Sequence, residues 1–448
     1  SGGVESGEAS SLLLRPSYPG YIVDYSPAYP YFNKRSGGAP TDGWTTVSAG
    51  LGQNGDYIYA LADNDNDDWV EWHPDLQAGW YEVFVHYVAH PNRRSDVAYV
   101  VRHAGGTSTV MVNQQNKNDG TPAVGEEESG WVRLGVYRFQ GFYTLDFVKL
   151  ADVTTPSGTP SPGYVVADAV KFAPLDVWVD DDLYCSTCYN DGKLWGVNAF
   201  TTIQEGTMAV GALGTINVKP GSYTGAVTLT KQITLTSTGG AASTSISVTN
   251  GSAVQILADN IIVKGFTVKS HAGARGITNR DDAAAVYNPV VGIKVLNNIV
   301  RDFDIGLQFR DARGEISGNQ VFGNTDMGIY IREYPTASPG GFTVVNNVLN
   351  GNGAGGTDYD ITLEDVYTGT LVMSNTITGG ATEACILVNN EAGLVELTGN
   401  TLNACAEGVL ILQDSGTDII QQIKLQRNTI TGGGTGVRVR RTAGSFSM

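Results

Sequence analysis

The chain has 448 residues and a mass of 47.5 kDa, with 28 Lys+Arg against 45 Asp+Glu, a formal net charge of −17 and a pI near 4.6. That balance excludes nucleic acid as a partner, because no basic stripe exists to neutralise phosphates. Charged residues are only 16% of the chain while glycine contributes 57 residues, which argues against a Glu/Lys-rich helical protein and for short strands with many turns. No apolar run is long enough to span a bilayer.

The chain opens Ser1-Gly2-Gly3, without an initiator Met or a signal peptide, as a processed or trimmed protein does. Residues 1–17 read as a Gly/Ser-rich tail carrying Leu12-Leu13-Leu14, a candidate contact for a neighbouring subunit. Residues 18–175 read as an all-β domain. Strands with alternating character are expected at 80–87, 98–102, 108–113, 131–135, 143–150 and 164–172, with a hairpin turn at Gly105-Gly106. Many short strands at this spacing make a sandwich. The Pro/Ser/Thr-rich stretch 154–163 is a loop inside that domain. Asp63, Asp65 and Asp67 alternate along one loop, a spacing that either wraps calcium or is a solvated acidic loop. Tyr21, Tyr25, Tyr29 and Tyr31 with Trp44 either stack on sugar rings or pack the domain.

Six ordered segments of this domain resemble a known module. They are Trp69-Val70-Glu71-Trp72-His73-Pro74, Gly79-Trp80-Tyr81-Glu82-Val83, His103-Ala104-Gly105-Gly106-Thr107, Val112-Asn113-Gln114-Gln115, Gly130-Trp131-Val132-Arg133-Leu134-Gly135 and Val166-Ala167-Asp168-Ala169-Val170. Together they resemble the golvesin-type domain, a β-sandwich appended to bacterial secreted lyases and surface proteins. The resemblance implies a glycan-binding or spacing role.

Residues 176–448 carry an internal repeat. Asn298, Asn319, Asn347, Asn375, Asn400 and Asn428 sit in one frame, at steps of 21, 28, 28, 25 and 28 residues, with an apolar residue on either side. Each is followed by a turn and a Gly-apolar-x-apolar strand, with no helix-period segment between. Such a coil is the unit of a parallel β-helix, and the repeated Asn is expected to bond its side-chain amide to the same Asn in the next coil. Of the four cysteines, Cys185 and Cys188 form a C-x-x-C, while Cys385 and Cys405 fall in neighbouring coils. They read as disulfides of an exported protein, Cys385 and Cys405 being either such a bridge or two small buried apolar residues. One histidine beyond residue 175 makes zinc improbable.

Trp195-Gly196-Val197-Asn198-Ala199-Phe200-Thr201-Thr202-Ile203-Gln204-Glu205, followed by Gly214-Thr215-Ile216-Asn217-Val218-Lys219-Pro220-Gly221-Ser222-Tyr223, resembles the entry of right-handed β-helix proteins of the pectate-lyase superfamily, where a short cap, here 195–206, precedes the first coil. The fold class is therefore all-β, a β-sandwich plus a right-handed parallel β-helix. Aligned on the repeated strand, Arg310, Arg332, Glu364 and Asn389 form one column and Asp311, Glu333, Asp365 and Asn390 the next. Gln308, Tyr330 and Thr362 form an outward column two residues earlier. The resemblance implies Arg310 or Arg332 as a catalytic base and Asp311, Glu333 and Asp365 as calcium ligands. The competing reading is that Arg and acid rungs pair with one another on an exposed face.

Two functions follow as expectations. One is an extracellular or cell-surface bacterial protein, a rigid rod that contacts glycan and associates with copies of itself into filaments. That expectation draws on the absence of an amphipathic cap after the last coil. The other is a secreted lyase of acidic polysaccharide. Calcium is the candidate cofactor in either case.

Overall fold

The computed structural model describes residues 5–6, 21–25, 32–35, 43–62, 68–142, 144–152, 163–182, 192–333, 341–353, 359–366, 369–379, 384–389, 393–413 and 422–441. The chain divides into two compact units. The first is Ser1–Leu175 with Ala209–Gly214, and the second is Asp176–Met208 with Thr215–Met448.

The first unit is antiparallel. One sheet runs, neighbour to neighbour, Glu5–Ser6, Phe32–Arg35, Trp69–Trp72, Phe147–Ala151, Val97–His103 and Gly106–Val112. A second runs Val132–Phe139, Gly79–His86, Ala169–Pro174 and Tyr21–Asp24. Strand residues alternate between buried and partly buried along Gly79–His86 and Val97–His103, because successive side chains leave opposite faces of a strand. The inward set places Trp72, Tyr81, Tyr99, Phe139 and Phe172 in a closed core. Tyr25 and Trp44 belong to that core too, the Tyr25 ring meeting Phe32 edge-on at 5.3 Å. The turn at Gly105-Gly106 closes a hairpin in which His103 pairs with Gly106. Tyr29, Tyr31, the acidic loop 63–67 and most of the 154–163 stretch lie outside the described residues.

In the second unit the strands Val177–Val179 and Ala199–Phe200 precede the helix Ile203–Ala209, which is capped by a reciprocal pair: the Glu205 amide donates to Thr202 Oγ1 at 3.2 Å and the Thr202 amide to Glu205 Oε2 at 3.3 Å. Parallel coils follow. One face is an eleven-stranded parallel sheet ending in Phe342–Val345, Thr370–Met373, Leu394–Thr398 and Gln422–Gln426. Two further faces are continuous with each other through the long strand Ile299–Arg310. The first of these includes Gln320–Phe322, Val348–Asn350 and Thr376–Thr378; the second includes Met327–Arg332, Tyr359–Glu364, Ala384–Asn389 and Glu407–Gln413. Inward residues such as Leu307, Phe309, Ile329, Ile331, Ile361 and Leu363 are fully buried.

The six repeated asparagines form a continuous ladder. Asn298 Nδ2 donates to Asn319 Oδ1 at 3.2 Å, Asn319 to Asn347 at 2.9 Å, Asn347 to Asn375 at 3.0 Å, Asn375 to Asn400 at 3.0 Å and Asn400 to Asn428 at 2.9 Å. Each oxygen also takes the backbone N–H of the preceding Asn, as Asn347 Oδ1 does from Asn319 at 2.9 Å. The residue before every ladder Asn is left-handed: Asn297 (φ 53°), Gly318 (66°), Asn346 (56°), Ser374 (55°), Gly399 (65°) and Arg427 (53°). One left-handed residue turns the chain sharply between two strands, and the Asn amide then satisfies the polar groups that the bend buries. A second, shorter stack was not evident from the repeat. Asn324 donates to Asn352 at 2.7 Å, and Asn352 to the buried carboxyl of Asp360 at 2.7 Å. Gly328 is the second residue of the strand Met327–Arg332, where a Cβ would sit 2.6 Å from the Asp360 carbonyl.

Cys385 and Cys405, left open between a bridge and packing, are joined in a disulfide between consecutive coils, with Cα atoms 5.5 Å apart. Cys185 and Cys188 lie outside the described residues.

Replacing Asn347 by Ala orphans the two Asn319 donors on one side and removes the donor to Ile316 O and Asn375 Oδ1 on the other. Each buried unsatisfied group costs about 1–3 kcal/mol, so Asn347→Ala is expected to lower unfolding stability by about 3 kcal/mol or more in urea titrations. Asp360 gives a pH signature. Burial raises its carboxyl to about 7, above the unfolded value of about 4. The folded state therefore binds the extra proton, and stability is lost as pH rises through that interval. Asp360→Asn, which keeps an acceptor for Asn352, is expected to be the more stable protein at pH 8 and to show a flatter profile between pH 5 and 8 by urea midpoint.

Candidate functional site

The strand column anticipated from the repeat is formed in register. Gln308 pairs with Tyr330 and Arg310 with Arg332; one coil on, Tyr330 pairs with Thr362, Arg332 with Glu364 and Glu364 with Asn389. Alternation sends Leu307 and Phe309 into the core and Gln308 and Arg310 to the outside. Gln308, Tyr330 and Thr362 are nevertheless buried, because other side chains cover that face.

Part of the cover is a small hairpin absent from the repeat. Arg280–Asp281 pairs antiparallel with Val286–Tyr287. Asp281 Oδ1 closes its turn by accepting the amides of Ala283 at 2.9 Å and Ala284 at 3.0 Å. The hairpin lays Tyr287 across the column: its hydroxyl donates to Gln308 Oε1 at 2.7 Å. Arg275 Nε donates to the same oxygen. The Arg310 guanidinium lies 4.4 Å from the Tyr287 ring centre and 5.7 Å from that of Tyr330. Arg280 lies 5.4 Å from the Tyr287 ring. Asn279, fully buried, fixes the Arg310 backbone, taking its N–H at 3.0 Å and donating to its carbonyl.

Charge pairing on this face is uneven. Asp282 takes Arg280 at 3.3 Å and Arg275 at 4.0 Å. Arg332 reaches Glu364 at 3.6 Å and Asp365 at 3.0 Å. Tyr330 donates its hydroxyl to Glu364. Burial, then that hydrogen bond, raises the Tyr330 phenol above its usual range, so it stays a neutral donor. Among the described residues Arg310 has no carboxylate within 4.0 Å, and its buried Nε has no hydrogen-bond partner. It is a guanidinium held by aromatic rings rather than by counter-charge.

The next column behaves differently. Asp311 and Asp365 adopt φ values of 50° and 53°. They occupy the bend after the strand, where Asp and Asn tolerate the left-handed conformation that most side chains avoid. Glu333 is fully buried. Asp311, Glu333 and Asp365 do not come together as a ligand set. Among the described residues, the one group of three carboxylates with oxygens within 4.8 Å of one another is Asp180, Asp181 and Asp182. Asp63, Asp65, Asp67 and Asn390 lie outside the described residues. Arg275, Arg280 and Tyr287 were not singled out from the sequence. For Arg280 and Tyr287 the one signal was the stretch 279–288, which interrupts the coil repeat; Arg275 lies before it.

Comparisons with known proteins bear on both units. The family described as the Golvesin C-terminal domain matches residues 33–174. The family described as periplasmic copper-binding protein (NosD), a parallel β-helix family, matches residues 237–432. Copper favours histidine, cysteine and methionine ligands. Residues 176–448 hold one histidine, His271; Cys385 and Cys405 are bonded to each other, and Met208, Met327 and Met373 lie on the helix and on strands of two different sheets, so among the described residues no set of such ligands is gathered. A xanthan lyase of Bacillus sp. (strain GL1) is 32% identical over 178 residues, which are 39% of this chain and 16% of that protein. The chain thus spans about a sixth of the length of that relative. The solved Paenibacillus xanthan lyase is 30% identical over 36% of this chain and 14% of its own, with a TM-score of 0.27. The Agl-KA catalytic domain is 13% identical over 95% of this chain and 98% of its own, with a TM-score of 0.23. Among the described residues no helix is long and apolar enough to cross a membrane. The first unit is a golvesin-type β-sandwich, and the second is a parallel β-helix.

Proposed function

We propose that this chain is an extracellular glycan-binding protein whose β-helix holds an acidic polysaccharide against the face formed by Arg275, Arg280, Tyr287, Arg310 and Tyr330. One observation carries the reading. In a chain of net charge −17, Arg310 lies beside two tyrosine rings and, among the described residues, has no carboxylate partner. A guanidinium placed in this way offers a planar fork to a sugar carboxylate, while the ring beside it offers an apolar surface to the sugar. The likeness to a protein named xanthan lyase supports a polysaccharide as the partner. The golvesin-type unit is the accompanying module. Self-association of the rods is a companion expectation, read out by sedimentation of the same sample.

The same guanidinium favours elimination as a second reading. In a uronate lyase a base removes the proton next to the carboxyl group, the electron pair forms a carbon–carbon double bond, and the glycosidic oxygen leaves. A guanidinium is not deprotonated under ordinary conditions. Arg310 therefore suits neutralising the carboxylate better than acting as the base, and Arg332 is engaged by Glu364 and Asp365.

Affinity electrophoresis in gels containing xanthan or polygalacturonate tests the proposal. Arg310→Ala is expected to weaken retardation tenfold or more, since charged hydrogen bonds are worth about 1.5–3 kcal/mol, with little change in melting temperature. Arg332→Ala is expected to lose stability as well, because it strands Glu364 and Asp365. Unchanged retardation in Arg310→Ala sinks the reading. Growth of unsaturated-product absorbance with the same polymers moves the assignment to the lyase.

A further inference from the structure

The second unit contains a small cavity at its entry cap, and none of the residues lining it belongs to the Arg310 face. It lies between the turn Thr201-Thr202, which leads into the helix Ile203–Ala209, and the strand Gly221–Thr224 with the bend that follows it. Its volume is about 190 Å3, below the roughly 300–1,000 Å3 of pockets that enclose drug-sized ligands. That is room for one sugar-sized ring rather than for a chain of them.

The walls divide by chemistry. Ile203, Tyr223 and Val227 are buried and give an apolar side. The Tyr223 hydroxyl is already engaged, donating to the carbonyls of Lys219 at 2.9 Å and Val179 at 3.3 Å. Thr202 is engaged as well, its hydroxyl donating to Glu205 Oε2 at 2.8 Å within the helix cap. Other polar side chains keep unused capacity. Asp181 Oδ2 accepts the Ser222 amide at 2.9 Å, which fixes the carboxylate and leaves Oδ1. Gly221 makes room for it, since a Cβ there would overlap the Asp181 carboxylate. Gln204 Oε1 accepts the Thr228 amide at 2.8 Å, which orients the carboxamide and leaves Nε2 as a donor. Among the described residues the hydroxyls of Thr201 and Thr224 have no hydrogen-bond partner.

The charge pattern selects the ligand. Asp181 is the one charged side chain lining the cavity, and Asp180 and Asp182 bring carboxylate oxygens within 4.8 Å of its own. Negative charge of that density repels an acidic ligand. An uncharged ring rich in hydroxyls meets every wall. Each of its hydroxyls can donate to Asp181 or accept from Gln204, Thr201 and Thr224 serve in either direction, and the C–H face lies against Ile203 and Val227. We propose that this cavity binds a single neutral sugar residue, at the end or side branch of a glycan, with Asp181 Oδ1 as acceptor, Gln204 Nε2 as donor and the Thr201 and Thr224 hydroxyls beside them. The Arg310 face holds its carboxylate by the opposite charge, so the two sites stand or fall separately.

Saturation-transfer difference NMR on the full chain tests the assignment. The probes are the methyl glycosides of glucose, galactose, mannose and N-acetylglucosamine, with glucuronate as the charged control. At least one methyl glycoside is expected to receive saturation at millimolar concentration and to do so equally in Arg310→Ala, where glucuronate receives none. Asp181→Asn keeps an acceptor for the Ser222 amide, and Thr224→Val removes only an exposed hydroxyl, so both are expected to fold with unaltered melting temperature. Asp181→Asn is expected to weaken binding of the neutral glycoside about tenfold and Thr224→Val about threefold, the range of single charged and neutral hydrogen bonds. A chelator is expected to leave the signal intact. Silence from all four glycosides overturns the proposal, as does a signal unchanged in both variants. A signal abolished by the chelator and restored by calcium overturns it too, and assigns the sugar to an ion held by the acidic group 180–182.

Discussion

The second unit depends on how a bend buried in a stack of coils satisfies its backbone. A parallel β-helix turns between faces many times, and each turn removes amides and carbonyls from water. The ladder Asn meets that demand with one side chain per coil. Its oxygen takes two N–H groups of the preceding rung, and its own amide reaches the next rung and a carbonyl such as Ile316 O at 2.9 Å. A left-handed residue immediately before it sets the angle. Because the bonds run from coil to coil, each rung is positioned by its neighbours, and the register of the whole stack is locked.

The chemistry of the exposed face is a consequence of that locking. Once register is set, residues one coil apart become neighbours about 4.8 Å from each other. Arg310, Arg332, Glu364 and Asn389 are brought together without any sequence proximity. The same register separates roles within one bend. Arg332 lies on the strand and presents charge, whereas Asp365 lies in the turn, where its conformation matters first and its pairing with Arg332 second. The local backbone explains Asp at two of those positions without invoking a ligand.

Legibility in the sequence followed periodicity. The coils, the Asn ladder and the columns of the third face repeat at nearly constant steps, so alignment of the chain with itself exposed them. The sandwich strands were visible through alternation, and the module through six ordered segments. What did not repeat was hidden. The hairpin carrying Arg280 and Tyr287 is a single excursion, and its partner Arg310 lies in a different coil. Asn324 and Asn352 form a stack too short to register as a pattern.

The bridge between Cys385 and Cys405 has a mechanical consequence. A solenoid unravels one coil at a time, because each coil touches only its neighbours. The two sulfurs tie consecutive coils 20 residues apart in the chain. Peeling under tension from the side of Asn428 must therefore stop at this pair, or release both coils together. Reduction would convert a clamped rod into one that frays progressively, so the redox state of the surroundings sets how far a pulled chain can lengthen before it breaks.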